Sequence, residues 1–447
     1  MTSKFSSNYS MKLLPTIENS ERLKISNFVQ YCKSYSYKLL AWTGESDCET
    51  RKALERFDNL NKLMLISLRG GQKQEYDKPI TRKLWLGNWI VRIAILLSFT
   101  RLNLWLFFHQ SDQLDLYLAN PFPGSERQNN TSALILAYVS VVNISSLREY
   151  YHYIERAGYL ITLRIFFNIR NHGIYWKPLK FNARSAQSFN KIVHLIMTQG
   201  SRLMVFIWFY SAALLIRVHL NYPAAYSTGV HIFFILCFIP SEVIALAVLV
   251  NGLASLGIYL WTFIALFNAK LEAIRDDIKN CLRKCSLSPV ELSQINEKVI
   301  LFMNEIEETY RRLDYLHLFL MALIATQADI MLLLALIFKL FPDFINSLVT
   351  FGGMAIHFFL VIGCYWASSY YTKTLSMHGQ YTGLILYTKA NCSARFKALE
   401  VQDRINARQT GIAIGNLCLI TPSFSLLFIL ENINFIMLLA VNIRTLV

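Results

Sequence analysis

The sequence predicts an all-α membrane protein of seven transmembrane helices, with a cytoplasmic amino terminus, an extracellular carboxyl terminus and a helical cytoplasmic anchor. Three observations carry that prediction. Of the 447 residues, 54% are apolar and 16% charged, too apolar a balance for the two or three soluble domains this length could hold. Apolar windows recur at 84–108, 132–147, 200–220, 229–267, 316–340, 347–371 and 411–443, and roughly 20 helical residues cross a hydrocarbon core of about 30 Å. Lys and Arg alternate between connections, with 15 in 1–83, 8 in 148–199, 8 in 268–315 and 6 in 372–410, against one in 109–131 and none in 221–228 or 341–346. Basic connections stay in the cytoplasm, which sets the orientation.

Residues 1–83 read as a cytoplasmic amino-terminal region with helices near 20–40 and 50–68. Leu23, Ile25, Phe28 and Val29, then Leu54, Phe57, Leu60 and Met64, recur at roughly helical spacing. Such helices can lie on the membrane surface or meet a partner. The chain starts polar and basic with no apolar leader segment, so the first span is expected to direct insertion. Residues 84–267 hold spans one to four. Between the first two, Asn129-Asn130-Thr131-Ser132 places glycosylation sequons at Asn129 and Asn130 in the first external loop, whereas those at Asn8, Asn143 and Asn391 fall inside or within a span.

Gly252 and Gly257 interrupt the fourth window without a polar turn, and helical patterning continues through Lys270, Glu272, Arg275 and Lys279. One tilted span is therefore expected to run on into the cytoplasm. Residues 268–315 form the cytoplasmic helical extension. There Ser288-Pro289-Val290-Glu291 is a capping box with Pro at the first helical position, and Ile295, Val299, Phe302 and Ile306 mark one face of a helix that continues into span five. Residues 316–443 hold spans five to seven. Thr421-Pro422 is expected to divide the last window into an inner anchor helix and a pore helix at 422–443.

The formal charge of +15 lies almost wholly on the cytoplasmic connections, beside an anionic leaflet, and calls for no nucleic acid. None of the eight cysteines falls in an external loop, so no extracellular disulfide is expected. Cys281 and Cys285 lack the further ligands of a zinc site, and no metal or cofactor is expected. The chain contains no HExxH, GxGxxG, GxxxxGK, GxSxG or CxxC, which argues against an ordinary enzyme. A G-protein-coupled receptor fits poorly too, because the orientation is reversed and no Asp-Arg-Tyr follows the third span.

The carboxyl-terminal window is the most informative. From Gly411 to Ile443 it carries one formal charge, Glu431. At about 100° per residue, Glu431, Asn434, Leu438, Asn442 and Thr445 fall within roughly an 80° arc of an otherwise apolar helix. Two readings stand. Four copies of Glu431 could form an acidic ring around a water-filled pore, with Leu438 as a dewetting constriction. Alternatively, Glu431 pairs with a cytoplasmic Lys or Arg and the asparagines bond between packed helices.

Two more acids lie at membrane depth, Glu242 in span four and Asp329 in span five. A charge there costs about 2.5–3.5 kcal/mol, so each should be paired, protonated or facing water. Trp208, Tyr210, Gln327 and His357 on neighbouring spans are candidate walls of a ligand site with them, or they simply pack and bond backbone carbonyls. Arg92 and Arg101 in span one are expected to snorkel or pair, with no ligand role.

The layout of spans, the inside amino terminus, the long fourth span, and Leu419-Ile420-Thr421-Pro422-Ser423-Phe424 before a closing apolar helix together resemble the arthropod gustatory and odorant receptor superfamily. Members end on a TYxxxxxQF signature. Here the equivalent run is 434–442, where Asn434 replaces Thr, Phe435 replaces Tyr, Val441 replaces Gln and Asn442 replaces Phe. The resemblance implies a plasma-membrane, ligand-gated cation channel, a homo- or heterotetramer opened by a small-molecule tastant. It also implies a central pore lined by Glu431, Asn434, Leu438, Val441, Asn442 and Thr445, a pocket in the outer half of the other spans, and an anchor through which subunits assemble. The rivals are a secondary transporter, which should show two related halves, and a seven-span receptor coupled to a cytoplasmic transducer.

Overall fold

The computed structural model describes residues 46–68, 80–107, 117–118, 127–157, 161–175, 177–220, 229–284, 288–337, 343–387, 392–406, 412–414 and 418–446. These are almost entirely helical: α1 Asp47–Leu63, α2 Arg82–Phe107, α3 Arg127–Arg156, α4 Ile161–His172, α5 Ala183–Leu220, α6 Gly229–Leu282, α7 Pro289–Leu332, α8 Asp343–Tyr387, α9 Cys392–Asn406 and α10 Pro422–Leu446. Among the described residues, five helical stretches are long and apolar enough to cross a membrane, namely Arg82–Phe107, Ala183–Leu220, Ile232–Leu282, Tyr315–Leu336 and Asp343–Leu386. The chain is thus a multi-pass membrane protein. The 132–147 window lies within α3, and the apolar α10 closes the described fold.

The fourth window is one helix. α6 runs 54 residues through Pro240, Gly252 and Gly257 without a break, about 80 Å at 1.5 Å per residue, far beyond a hydrocarbon core. α7 begins as its sequence requires. Ser288 accepts from the Glu291 amide at 3.2 Å, the Glu291 carboxylate accepts from the Ser288 amide at 3.2 Å, and Pro289 opens the helix. The predicted face Ile295, Val299, Phe302 and Ile306 is buried throughout. It packs where the far ends of α6, α7 and α8 meet α9, and Tyr381 donates to Asn296 within that core. Ion pairs fasten the outside of this bundle: Lys270 to Glu305 at 2.5 Å, Lys298 to Asp277 at 2.7 Å, Lys373 to Glu272 at 2.8 Å and Arg404 to Glu307 at 2.8 Å.

The amino-terminal helix docks on the same body. Ser46 caps α1, and Leu54, Phe57 and Met64 are buried while Leu60 is half-buried, as their spacing predicts. Burial of each large apolar side chain contributes about 1.5–3 kcal/mol. Phe57 meets Tyr259 edge-on, and Gly200 lets α5 approach: a Cβ there would stand 2.8 Å from Ile258 Cδ1 and 3.2 Å from Phe57 Cε2. The buried Asn61 is satisfied in both senses. It donates to Phe57 O at 3.0 Å and Tyr259 Oη at 3.2 Å, and accepts from Ser255 Oγ at 2.6 Å. Arg51 donates to the carbonyls of Arg170 and Asn171, closing the end of α4, where Gly173 adopts φ +83°. The candidate helix at 20–40 lies outside the described residues.

Two expectations are corrected. Residues 412–414 and 418–420 belong neither to the last helix nor to an inner helix. Ala413–Ile414 instead pairs antiparallel with Cys418–Leu419, and the Ile420 amide donates to Ile412 O at 2.8 Å. The reason is local. The residue before a proline avoids helical backbone, so Thr421 ends one element and caps the next, accepting from the Phe424 amide at 3.3 Å. The helix nearest to the expected inner anchor is α9, earlier in the chain. Asn129 and Asn130 fall in the first turn of α3 rather than in a loop.

Candidate functional site

α10 packs on α7 and α8. Its packed stripe is Phe424, Phe428, Asn432, Ile436 and Ala440, all half-buried and four residues apart, with Ser425 fully buried beside them. Phe424 and Phe428 stack at 6.1 Å, and Asn432 turns its amide back to Phe428 O at 2.5 Å. The rest of the helix surface is open. Glu431 and Asn434 are exposed, as are Leu438 at 60% and Val441 at 61%. Among the described residues, no ion pair or hydrogen bond reaches Glu431 or Asn434. The pairing of Glu431 with a Lys or Arg that its sequence allowed is therefore not made within the described subunit. Asn442 and Thr445 continue along α10, with side chains outside the described set.

The two other acids are paired. Glu242 on α6 meets Arg101 on α2, whose guanidinium is 2% exposed, lies 4.3 Å over Trp105 and 4.8 Å over Phe238, and donates Nε–H to Leu118 O at 2.6 Å. Nearby on α5, His219 Nδ1 lies 3.0 Å from Leu215 O, and its buried Nε2 has no partner among the described residues. Asp329 on α7 stands 2.8 Å from His357 Nε2 on α8. The two atoms are close enough for an ion pair, but their alignment falls short of a well-directed hydrogen bond.

Tyr210, Asp329 and His357 converge on one stretch of α8. Tyr210 donates to Leu348 O at 2.7 Å, and Gly352 and Gly353 let α7 and Tyr210 approach, since Cβ atoms there would stand 2.7 Å from Met331 and 2.9 Å from Leu332. Trp208 packs against the main core with its indole N–H unpartnered among the described residues. Gln327 is half-buried on α7, two residues from Asp329. Glu242 belongs instead to the Arg101 cluster. Sequence reasoning gave Arg101 no site role, yet it is the counter-charge of Glu242. The available signal was the set of charges at membrane depth, Arg92 and Arg101 against Glu242 and Asp329, each needing a partner.

At the basic end of α3 a third cluster gathers. Arg148 donates to Asn88 Oδ1 at 2.6 Å and Glu149 Oε1 at 3.0 Å, and Arg92 pairs with Glu149 at 2.5 Å.

Neither a family model nor a curated protein matches the chain. Solved structures do. The insect olfactory receptor OR5 from Machilis hrabei in complex with eugenol aligns with TM-score 0.61 at 12% identity, over 89% of this chain and 99% of that one. The OR5 structure described without a ligand aligns with TM-score 0.59 at 13% identity, over 88% and 98%. The chain has the insect olfactory receptor fold. The likeness spans nearly the whole of both chains and bears out, for the fold, the resemblance read from the carboxyl-terminal window and the arrangement of spans.

Within this fold, the Arg101 and Glu242 pair makes a measurable demand. Glu242→Gln leaves a buried guanidinium uncompensated and should cost about 3–5 kcal/mol, whereas the double replacement Arg101→Met with Glu242→Leu removes both charges and should recover most of it. Thermal unfolding in detergent reads the difference. A double variant as unstable as the single one would show that packing, not charge, decides this site.

Proposed function

We propose that the chain is a subunit of a chemosensory receptor channel, a gustatory receptor that a small-molecule tastant opens to cations, acting as a homo- or heterotetramer in the plasma membrane. One observation supports this above the rest. On the exposed surface of α10, Glu431 and Asn434 have no partner among the described residues. A carboxylate facing lipid costs about 2.5–3.5 kcal/mol, and four copies around a water-filled axis avoid that cost while forming an acidic ring that favours cations.

In this reading the seven spans are α2, α3, α5, α6, α7, α8 and α10, with the amino terminus inside and the carboxyl terminus outside. Residues 1–83 form the cytoplasmic amino-terminal region, 84–267 the first four spans, 268–315 the cytoplasmic extension and 316–443 the last three spans with the pore helix. Leu438 is the constriction, and Val441, Asn442 and Thr445 continue the pore outward. Tyr210, Asp329 and His357, with Trp208 on α5 and Gln327 on α7, are the groups offered to a ligand, while Glu242, held by Arg101, stands apart from them. The OR5 complex with eugenol supports a small organic molecule in that role. The ligand must bind the open state more tightly than the closed one, since equal affinity shifts nothing.

Recording from purified protein in liposomes separates the three classes. A channel passes ligand-dependent unitary current, a transducer-coupled receptor passes none, and a transporter gives no unitary steps. Replacing Glu431 with Lys should abolish or reverse cation preference, and an unchanged reversal potential would remove Glu431 from the pore. Orientation has its own check. Asn129→Gln with Asn130→Gln should eliminate a glycosidase-sensitive mobility shift, and persistence of that shift would place the sugar, and hence the outside, elsewhere.

A further inference from the structure

The last turn of α5 ends beside the Arg101 and Glu242 pair. His219 is 2% exposed although it stands one residue from the end of that helix. Its Nδ1 lies 3.0 Å from Leu215 O. A carbonyl oxygen only accepts, so Nδ1 carries the proton of the neutral ring and Nε2 is the bare nitrogen. That Nε2 is buried and has no partner among the described residues.

The charges around it leave no place for a second proton on the ring. Arg101 on α2 and Glu242 on α6 both stand within electrostatic reach of His219, and they already pair with each other. The guanidinium is held further by Leu118 O and by the rings of Trp105 and Phe238. Arg217, on α5 itself, turns away to Phe344, 5.8 Å from the ring centroid. On α8, which meets this end of α5 at Ile345, Asp343 is exposed, and deeper in the bundle Asp329 and His357 pair with each other. A protonated His219 would make two cations share the carboxylate of Glu242 in a buried site, where an extra charge is costly.

We propose that His219 is a proton sensor at the outer end of the receptor: external acid protonates Nε2 and releases the last turn of α5 from α2 and α6. The closed cluster holds the neutral ring, whereas an opened turn leaves the imidazole in water, where it takes a proton. Linkage fixes the sign. Above a histidine's ordinary value of about 6.5 the closed arrangement is fully favoured, and below it opening gains nearly tenfold per pH unit. The turn is well placed for release, because α5 stops at Leu220 and the Arg101 pair joins α2 to α6 without it. The outer side is taken from the orientation proposed above, and the sensor does not depend on channel activity.

The test is amide hydrogen exchange on the full chain in nanodiscs, read by mass spectrometry for the peptide spanning Ser211–Leu220 and corrected for the pH dependence of chemical exchange. The opening constant should rise about tenfold between pH 7.5 and 5.5. His219→Gln, which keeps a neutral amide donor for Leu215 O, should abolish the rise. Replacing two other histidines that the sequence places toward the outside, His109→Gln with His231→Gln, should leave it intact. A flat wild-type profile, a rise that persists in His219→Gln, or its loss in the double variant would each overturn the proposal, and the first of these is read without any substitution. The glycosylation assay reports orientation separately, so a reversed topology and a missing sensor give different results.

Discussion

Hydrocarbon offers no partner to a charge or to a backbone amide, and this one constraint organises the molecule. Long helices answer it for the backbone. Pairing answers it for side chains: Arg101 neutralises Glu242 between α2 and α6, and Asp329 meets His357 between α7 and α8. Each pair also joins two helices, because removing either partner strands the other in a medium where a lone charge is costly. Glu431 is the exception. Its own subunit offers it nothing among the described residues, and an exposed carboxylate at the centre of an apolar helix is tolerable only beside water or another protein surface.

The long helices make that exception usable. α6, α7 and α8 carry on well past the length a membrane needs, and Val299, Phe302, Tyr370 and Tyr381 pack there as part of the one continuous core, rimmed by ion pairs. Exposed ion pairs of this kind contribute at most about 1 kcal/mol each, so the apolar face of α7 holds the bundle and the charges keep it soluble. α10 is attached differently. It rests on α7 and α8 through a single stripe from Phe424 to Ala440, leaving its other side free. For the channel proposed above, a packed base with one helix held along a single stripe is an arrangement that gating could use, since the moving part must shift without unpacking the anchor.

Much of this was legible in the sequence, and what was not has a common cause. Period and capping are local, so α6 could be read as continuous, Ser288 as a helix start and Ile295, Val299, Phe302 and Ile306 as a buried face. Phe57 and its neighbours announced a one-sided helix for the same reason, but not that it packs on the chain's own core rather than on the membrane or a partner. Contacts between distant segments leave no such pattern. Nothing near Arg101 in the chain points to Glu242, 141 positions away, and nothing near Asn88 points to Arg148. The stretch at 411–420 misled by composition: Ile412, Ala413, Ile414, Leu417 and Leu419 are as apolar as a span, but Pro422 forbids helical backbone at Thr421 and the chain forms a short ribbon instead. The six candidate ligand residues were chosen for chemistry and depth. Tyr210 reaches the α8 backbone beside Gly352, and Asp329 meets His357 further along the same helix, packing facts that composition does not carry.

Cysteine-scanning accessibility along α10 tests the central claim most directly. Single cysteines at positions 431, 434, 438 and 441, and at 428, 432 and 436 for the packed stripe, are placed in the reconstituted protein and exposed to a charged, water-soluble thiol reagent with and without ligand. The account predicts that the first set reacts and blocks current, with 438 and 441 reacting faster when ligand is present, while the second set stays protected. Protection of the first set in every state would place that side of α10 against lipid or protein and contradict the pore.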